Sequence, residues 1–286
     1  MNSPAYRNIR SAPSHSKRNR MEIEEAMVIE DHASQLKKTE KASCVVCGRQ
    51  GDTVTGEEQI ISEHFMEISV NGHLIMRLSC TPGDLTELVL GRLYTERIID
   101  GTEDVDRIFI CGMGDIAEVY LGKDISFEKW HDTEPTCCAG NKQILSRKDG
   151  RKLTAFKEST VDKEAVFSLV DSFKNDTELH KLTGGTHSCY LRTPDGAVRG
   201  FEDISRHNAL DKAVGYLLEK ELEPSECMLF TSGRVAADMV EKTIAAGIPV
   251  LISKASPTDE ALILAKEYGL KLIGKAWPDS YIIFSS

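Results

Sequence analysis

Alternation of apolar and polar residues begins near Ile60. EHFMEISV and HLIMRLSC flank Asn71-Gly72, and an Asn-Gly pair between two alternating runs marks a hairpin with a type I′ turn. The period then changes. LTELVLGRLYTERII is apolar at three- and four-residue spacing, which predicts a helix with Thr81 at its N-cap, Pro82 at its first position and Asp84 at N3. DRIFICG and DIAEVYL around Met113-Gly114 predict a second hairpin. Residues 122–160 show no such periodicity.

The second half resumes with a helix predicted over 162–174, where Val166, Phe167, Leu169, Val170 and Phe173 are apolar. LTGGTHSCYLR, a Pro194-Asp195-Gly196 turn and AVRGFED form a further hairpin. It leads into EDISRHNALDKAVG, whose Leu210, Ala213, Val214, Leu217 and Leu218 fall on one helical face. Asn208 is the expected N-cap there, with Asp211 as the acid of a capping box. The last sixty residues alternate strand and helix. CMLF, the helix VAADMVEKTIAA closed by Gly247, PVLIS, a helix opened by Ser256 and Pro257 and closed by Gly269, LKLIG and YIIF follow in order. Strand–helix–strand at this spacing predicts parallel strands with right-handed crossovers.

Ligands on such sheets bind beyond the carboxyl ends of the strands. Those ends carry Thr231-Ser232-Gly233-Arg234, Ser253-Lys254-Ala255-Ser256, and Lys275 onward. Helix N-termini there offer free N–H groups, and Arg234 and Lys275 add cations, a combination that favours an anionic, phosphate-bearing ligand over mere helix caps. The turn Gly184-Gly185-Thr186-His187 presents backbone donors or is simply tight. Arg206 and His207 sit at another helix mouth, read either as an anion site or as a solvated charge cluster.

Composition narrows the classes. The 286 residues are 41% hydrophobic and 28% charged, with a formal charge of −10. That suits a soluble chain with a full core, and argues against nonspecific nucleic-acid binding. No apolar run approaches the ~18–20 residues of a membrane span, and the N-terminus has no apolar signal region. A cytoplasmic location is therefore expected. Residues 1–20 hold five basic residues and no acids, and residues 21–31 hold five acids and no bases. Such blocks predict a disordered tail over 1–55. Its CVVCG at 44–48 has the spacing of half a zinc site, but no second C-x-x-C completes it, so no metal is expected.

Of eight cysteines, Cys80, Cys111, Cys189 and Cys227 lie in or beside apolar runs and read as small buried hydrophobes. Cys137 and Cys138 lie in PTCCAGNK, a polar loop in which Lys142 stands near enough to lower a thiol pKa. Adjacent cysteines do not bridge each other without strain. The residues alone allow either an inert pair or a thiolate that accepts and passes on sulfur.

EISVNG (67–72), CTPGDLTELVLGRLYTERII (80–99), TGGTHS (183–188), EDISRHNALDKAVG (202–215), TSGRVAADMV (231–240) and ASPTDEALILAKE (255–267) occur in this order. In them the chain resembles the FdhD/NarQ family of formate dehydrogenase accessory sulfurtransferases, over roughly 60–286. The resemblance implies an α/β fold with a cytidine deaminase-like, three-layer domain at 146–286. A smaller α+β domain at 56–130, a cysteine loop at 131–145 and the tail complete the chain. It also implies a homodimer that takes sulfur from a cysteine desulfurase and passes it, as a cysteine persulfide, to the Mo-bis(molybdopterin guanine dinucleotide) cofactor of formate dehydrogenase. GDP or a related nucleotide would fit the same site.

By that resemblance Cys137 takes the place of the first cysteine of the family's C-x-x-C. Gly140 stands where the second would be, with Cys138 the nearby substitute. Cofactor contacts fall to Gly185, Thr186, His187, Arg206, His207, Thr231, Ser232, Gly233 and Arg234. Further contacts come from Lys275, Ala276, Trp277, Pro278, Asp279 and Ser280, where the family has a Gly-Phe-Ala-Arg-like segment. A zinc deaminase is excluded, since none of the eight histidines opens an H-x-E and no P-C-x-x-C is present. The noncatalytic alternative is a chaperone that binds the molybdenum cofactor without moving sulfur.

Overall fold

The computed structural model describes residues 27–33, 36–122, 130–132, 142–143, 145–147, 152–157 and 161–285. Order begins well before residue 55, contrary to the expected tail. Val28–Asp31 (β1) pairs in parallel with a later strand, and Thr39–Cys47 (β2) and Thr53–Ile61 (β3) form an antiparallel hairpin. Its Thr and Val content suits a solvated ribbon, and it lies beyond the charge blocks of residues 1–31 that suggested disorder. Cys44 opposes Gly56 and Cys47 opposes Thr53, so the two thiols project to opposite faces. Among the described residues no group of three or more His, Cys, Asp or Glu is placed to hold a metal.

The first large sheet contains His64–Val70 (β4) and His73–Cys80 (β5), joined through Asn71 and Gly72 at φ 47° and 79°, both left-handed as a type I′ turn requires. Leu85–Thr95 (α1) follows. It starts later than expected: Asp84 is the N-cap, while Thr81 donates its N–H to Asp203 at 3.0 Å and its hydroxyl accepts from the N–H of Ile204 at 3.1 Å. Thr81 thus ties the halves of the chain together rather than opening the helix. Val105–Ile110 (β6) and Ile116–Leu121 (β7) form the second hairpin. Trp130–Asp132 (β8), Lys142–Gln143 (β9) and Leu145–Arg147 (β10) are short, and the sheet runs β1-β6-β7-β4-β5-β9.

Lys163–Asp176 (α2), capped by Asp162, and Glu178–Thr183 (α3) precede the second large sheet. Its strands are His187–Arg192 (β11), Val198–Asp203 (β12), Met228–Thr231 (β13), Val250–Ser253 (β14), Lys271–Trp277 (β15) and Ser280–Ser285 (β16). They lie in the order β12-β11-β13-β14-β15-β16, with β13, β14 and β15 parallel as predicted. Arg206–Glu219 (α4), Ala237–Ala245 (α5) and Asp259–Tyr268 (α6) connect them. Residues of α2 fill a core on one face with Tyr190, Phe230 and Ile252. The other face joins α4, α5 and α1 in a core continuous with the first sheet.

Two helix starts also differ from expectation. Thr258, not Ser256, caps α6, because Pro257 bridges to Val235 and the N–H of Thr258 donates to the Val235 carbonyl at 2.9 Å. Ser205, not Asn208, is the N-cap of α4. Asn208 is buried in the first turn, where its amide donates to the Ser79 carbonyl at 2.8 Å and to Asp203 at 3.0 Å.

Helices α1 and α4 form the seam between the sheets. A Cβ on Gly91 would lie 1.8 Å from the Asp211 carbonyl oxygen, and one on Gly215 1.8 Å from that of Glu87. Charges are sealed beside it. Asp211, expected as a capping acid, instead accepts from Arg92 at 3.2 Å, from Thr95 at 2.7 Å and from Lys242 at 3.0 Å. Glu96 completes the cluster at 3.2 Å from Arg92 and 2.9 Å from Lys242. Burial alone would raise the Glu96 carboxyl, but Lys242 and Arg92 outweigh it and hold it at about 2. Cys80, Cys189 and Cys227 are buried as expected, and burial pushes the Cys80 and Cys227 thiols up to about 12. Cys111 is half-buried, with its thiol donating to Asp115 at 2.9 Å.

Candidate functional site

A cleft of about 340 Å³ opens at the carboxyl ends of β13 and β14, between the α3–β11 turn, Ile204, Ser232 and Lys254. The turn is built by Glu202. Its carboxylate accepts from the N–H groups of Leu179 and His180, both at 2.8 Å, and from the Thr186 hydroxyl at 2.9 Å. The α3 N-cap, Thr177, makes no side-chain cap, so Glu202 satisfies the first turn from a neighbouring strand. Gly184 closes α3 in the left-handed region at φ 66°, which turns Gly185 and Thr186 toward the cleft.

Strand ends are locked by a reciprocal pair: Ser188 donates its N–H to the Ser232 hydroxyl, and Ser232 donates its own to the Ser188 carbonyl, both at 2.9 Å. Gly233 sits in a tight place. A Cβ there would meet Arg206 Cδ at 3.0 Å and His187 Nδ1 at 3.6 Å. Ser253 donates its hydroxyl to the Gly233 carbonyl at 2.7 Å and accepts from the N–H of Ala255 at 2.9 Å. The hydroxyls of Ser188 and Ser205 are buried without a hydrogen-bond partner among the described residues.

Titratable side chains surround the cleft, and Lys254 is a cation that lines it. His187 is held below the usual imidazole range, first by burial and then by Arg206, His180 and His207, so it is neutral near pH 7. His180 Nδ1 lies 2.8 Å from the Thr186 carbonyl, which only accepts. The ring therefore donates through Nδ1, leaving Nε2 as an acceptor in the neutral form. His207 Nε2 lies 2.7 Å from Asp238. Burial would raise that carboxyl, but the hydrogen bond and charge of His207 bring it to about 2. Lys254 Nζ lies 5.4 Å from the ring centre of Phe173 and 5.2 Å from that of Trp277, a cation flanked by two aromatic faces.

The cleft thus gathers Gly185, Thr186, His187 and Ser232 from separate segments, with Arg206 and Gly233 packed behind them. Trp277 reaches the edge through Lys254. Thr231 is buried and its hydroxyl accepts from the N–H of Gly233 at 3.2 Å. Arg234 is exposed and does not line the cleft. Lys275 is exposed at a bulge with φ 48°, Ala276 is buried in the α2-side core, and Pro278, Asp279 and Ser280 form the exposed β15–β16 turn. Cys137 and Cys138 lie outside the described residues.

Sequence reasoning passed over Lys254, His180, Phe173 and Glu202. Lys254 stood in a strand-end segment already singled out, while Arg234 and Lys275 drew attention as the cations. Glu202 is visible only once the hairpin register places it opposite Ser188.

The chain has a mixed α/β fold with a cleft at parallel strand ends, and comparison with known proteins gives its family. The FdhD/NarQ family model matches residues 61–286, and the chain belongs to that family. It is 36% identical over 215 residues to a "Sulfur carrier protein FdhD" of Sulfurisphaera tokodaii, covering 74% of this chain and 81% of the relative. A Geobacillus kaustophilus protein of the same name is 33% identical over 230 residues, covering 79% and 88%. The fold matches a crystal structure from Desulfotalea psychrophila, described as a formate dehydrogenase accessory protein, with a TM-score of 0.71 at 24% identity. That match covers 87% of this chain and 98% of the other. No helix among the described residues is long and apolar enough to cross a membrane.

Proposed function

We propose that this chain is a sulfur carrier that serves formate dehydrogenase. It takes sulfur from a cysteine desulfurase onto Cys137 and passes it to Mo-bis(molybdopterin guanine dinucleotide), bound as substrate at the strand-end cleft. Family membership over residues 61–286 is the observation that carries the reading. The cleft supports it with a cation suited to phosphate, Lys254, beside the indole of Trp277. In this reading the second sheet is cytidine deaminase-like, which its strand order and the antiparallel β11 support. The chain acts as a cytoplasmic homodimer.

In the loading step the Cys137 thiolate attacks the outer sulfur of the desulfurase persulfide. A sulfur–sulfur bond forms on Cys137 as the donor's breaks, and the desulfurase cysteine leaves as thiolate. Mass spectrometry after treatment with desulfurase and cysteine tests this. Wild type should gain one sulfur on the Cys137 peptide, Cys137→Ala should gain none, and Cys138→Ala should retain loading in whole or in part. Full loading of Cys137→Ala would move the persulfide to Cys138. No loading of any protein would favour a chaperone that binds the cofactor without carrying sulfur.

A further inference from the structure

One wall of the cleft is held from the far side of its sheet. Glu202 and Asp203 are neighbours at the end of β12, so their side chains leave opposite faces of the strand. Glu202 holds the first turn of α3 and the Thr186 hydroxyl, and Ile204 lines the cleft. Asp203 points the other way and is fully buried. One of its carboxylate oxygens accepts from the Ser205 N–H and the Asn208 amide, both at 3.0 Å. The other accepts from the Thr81 N–H at 3.0 Å and pairs with Lys212 at 2.8 Å. Lys212 is itself buried, and its Nζ also donates to the carbonyls of Thr81 at 3.1 Å and of Glu202 at 3.4 Å.

Ile204 lies between β12 and α4, outside the backbone ladders of both, and its N–H donates to the Thr81 hydroxyl at 3.1 Å. Thr81 follows the last residue of β5, is buried and does not line the cleft. Its N–H goes to Asp203, its carbonyl to Lys212 and its hydroxyl to Ile204. A buried N–H that loses its acceptor finds another only by moving its backbone. Here that movement carries Ile204, and through the two residues before it the Glu202 carboxylate on which the α3 turn depends.

We propose that Thr81 is a positioning residue for the nucleotide cleft. Its hydroxyl holds Ile204, and with it the cleft wall, so the segment after β5 sets the affinity of a ligand it never touches. The proposal rests on the reading of this cleft as a nucleotide site.

Thr81→Val keeps the N–H for Asp203 and the carbonyl for Lys212, and removes only the acceptor for Ile204. Thr81→Ser keeps all three. Thr243→Val, which removes a buried hydroxyl bonded at 2.8 Å to the Met239 carbonyl within α5, is the control for lost stability alone. Each protein is checked for a cooperative urea transition. GDP affinity is then measured by calorimetry, and amide hydrogen exchange over 178–187 by mass spectrometry without ligand. Thr81→Val should bind GDP about tenfold more weakly and exchange faster over 178–187, whereas Thr81→Ser and Thr243→Val should match wild type in both. Wild-type affinity in Thr81→Val overturns the proposal. Equal weakening in Thr81→Ser also overturns it, by assigning the effect to the methyl group, and equal weakening in Thr243→Val does so by assigning it to global stability. Weakened binding with unchanged exchange overturns it too, since the wall would not have moved. If Thr81→Val shows no cooperative transition, Thr81→Ala removes the same acceptor and is judged by the same outcomes. Wild type that binds no GDP overturns the nucleotide reading of the cleft, and this role with it.

Discussion

Asp211→Asn removes one negative charge from a site with no access to water. The carboxylate is fully buried, and Arg92 and Lys242 retain only 2% and 8% of their side-chain exposure. In the variant those two cations face only Glu96, and the new amide turns donors toward Thr95, Arg92 or Lys242. Removing one partner of a buried ion pair costs about 3–5 kcal/mol, because the remaining charge stays desolvated. Against a typical stability of about 5–15 kcal/mol this is a large share, and at about 2–4 °C per kcal/mol it lowers Tm by roughly 6–20 °C. Urea unfolding measures it as a fall in midpoint at constant slope. Arg97→Ala is the control, since its 3.0 Å pair with Glu241 is 37% and 45% exposed, and such surface pairs are worth about 0–1 kcal/mol. An Asp211→Asn effect no larger than the control would refute the argument that the seam depends on compensated charge.

Gly215→Ala forces a methyl group against the Glu87 backbone. It should destabilise by about 1–3 kcal/mol, whereas Gly56→Ala, whose Cβ would meet nothing nearer than Cys44 Sγ at 3.9 Å, should shift stability by about 1 kcal/mol or less by thermal melting. Lys254→Ala should weaken GDP binding by about 1.5–3 kcal/mol in calorimetry. Arg234→Ala, outside the cleft, should change it little; the reverse ranking would place the phosphates elsewhere. Acid should destabilise the fold through Glu96 and Asp238, whose carboxyls lie at about 2 rather than 4.5 and 3.8. With folded-state values below the unfolded ones, their contribution is full above about pH 4.5 and is lost as pH falls toward 2, so urea midpoints should drop over that window. Asp211→Asn, which leaves both cations to Glu96, should steepen the part of that drop due to Glu96; a flattened drop would contradict the linkage.

Most element identities were legible because each carries its own period. The Asn71-Gly72 hairpin, the parallel strands at 228–231, 250–253 and 271–277, and the glycine closures at 247 and 269 follow from local rules. Helix starts were less legible, because a cap serves whichever partner is nearest in space. Thr81 looked free to cap its own helix, but Asp203 and Ile204 claim it from more than 120 positions away. Asp211 looked like a surface acid until Arg92 and Lys242 were brought to it. The β2–β3 ribbon was missed because the disorder read from the charge blocks of residues 1–31 was carried on to residue 55. Within the cleft, Gly185, Thr186, His187 and Ser232 were readable from turn and strand-end positions. Trp277 was named from the resemblance, but its contact with Lys254 depended on the third dimension, for nothing in their spacing says that one cation lies between two rings.

The glycine contact at the seam sets a limit on how this chain can be divided. With Gly91 and Gly215 letting two backbones touch, and Arg92, Lys242, Asp211 and Glu96 neutralising one another across the same line, each half lacks the surface its partner supplies. A fragment ending after β7 would bare Arg92 beside an apolar helix face. One beginning at α2 would bare Asp211, Lys212 and Lys242 along a groove shaped for a backbone rather than for solvent. Cutting the chain between the sheets therefore yields two incomplete pieces that can regain the fold only by meeting, so the two halves are expected to be inherited, expressed and degraded as a unit.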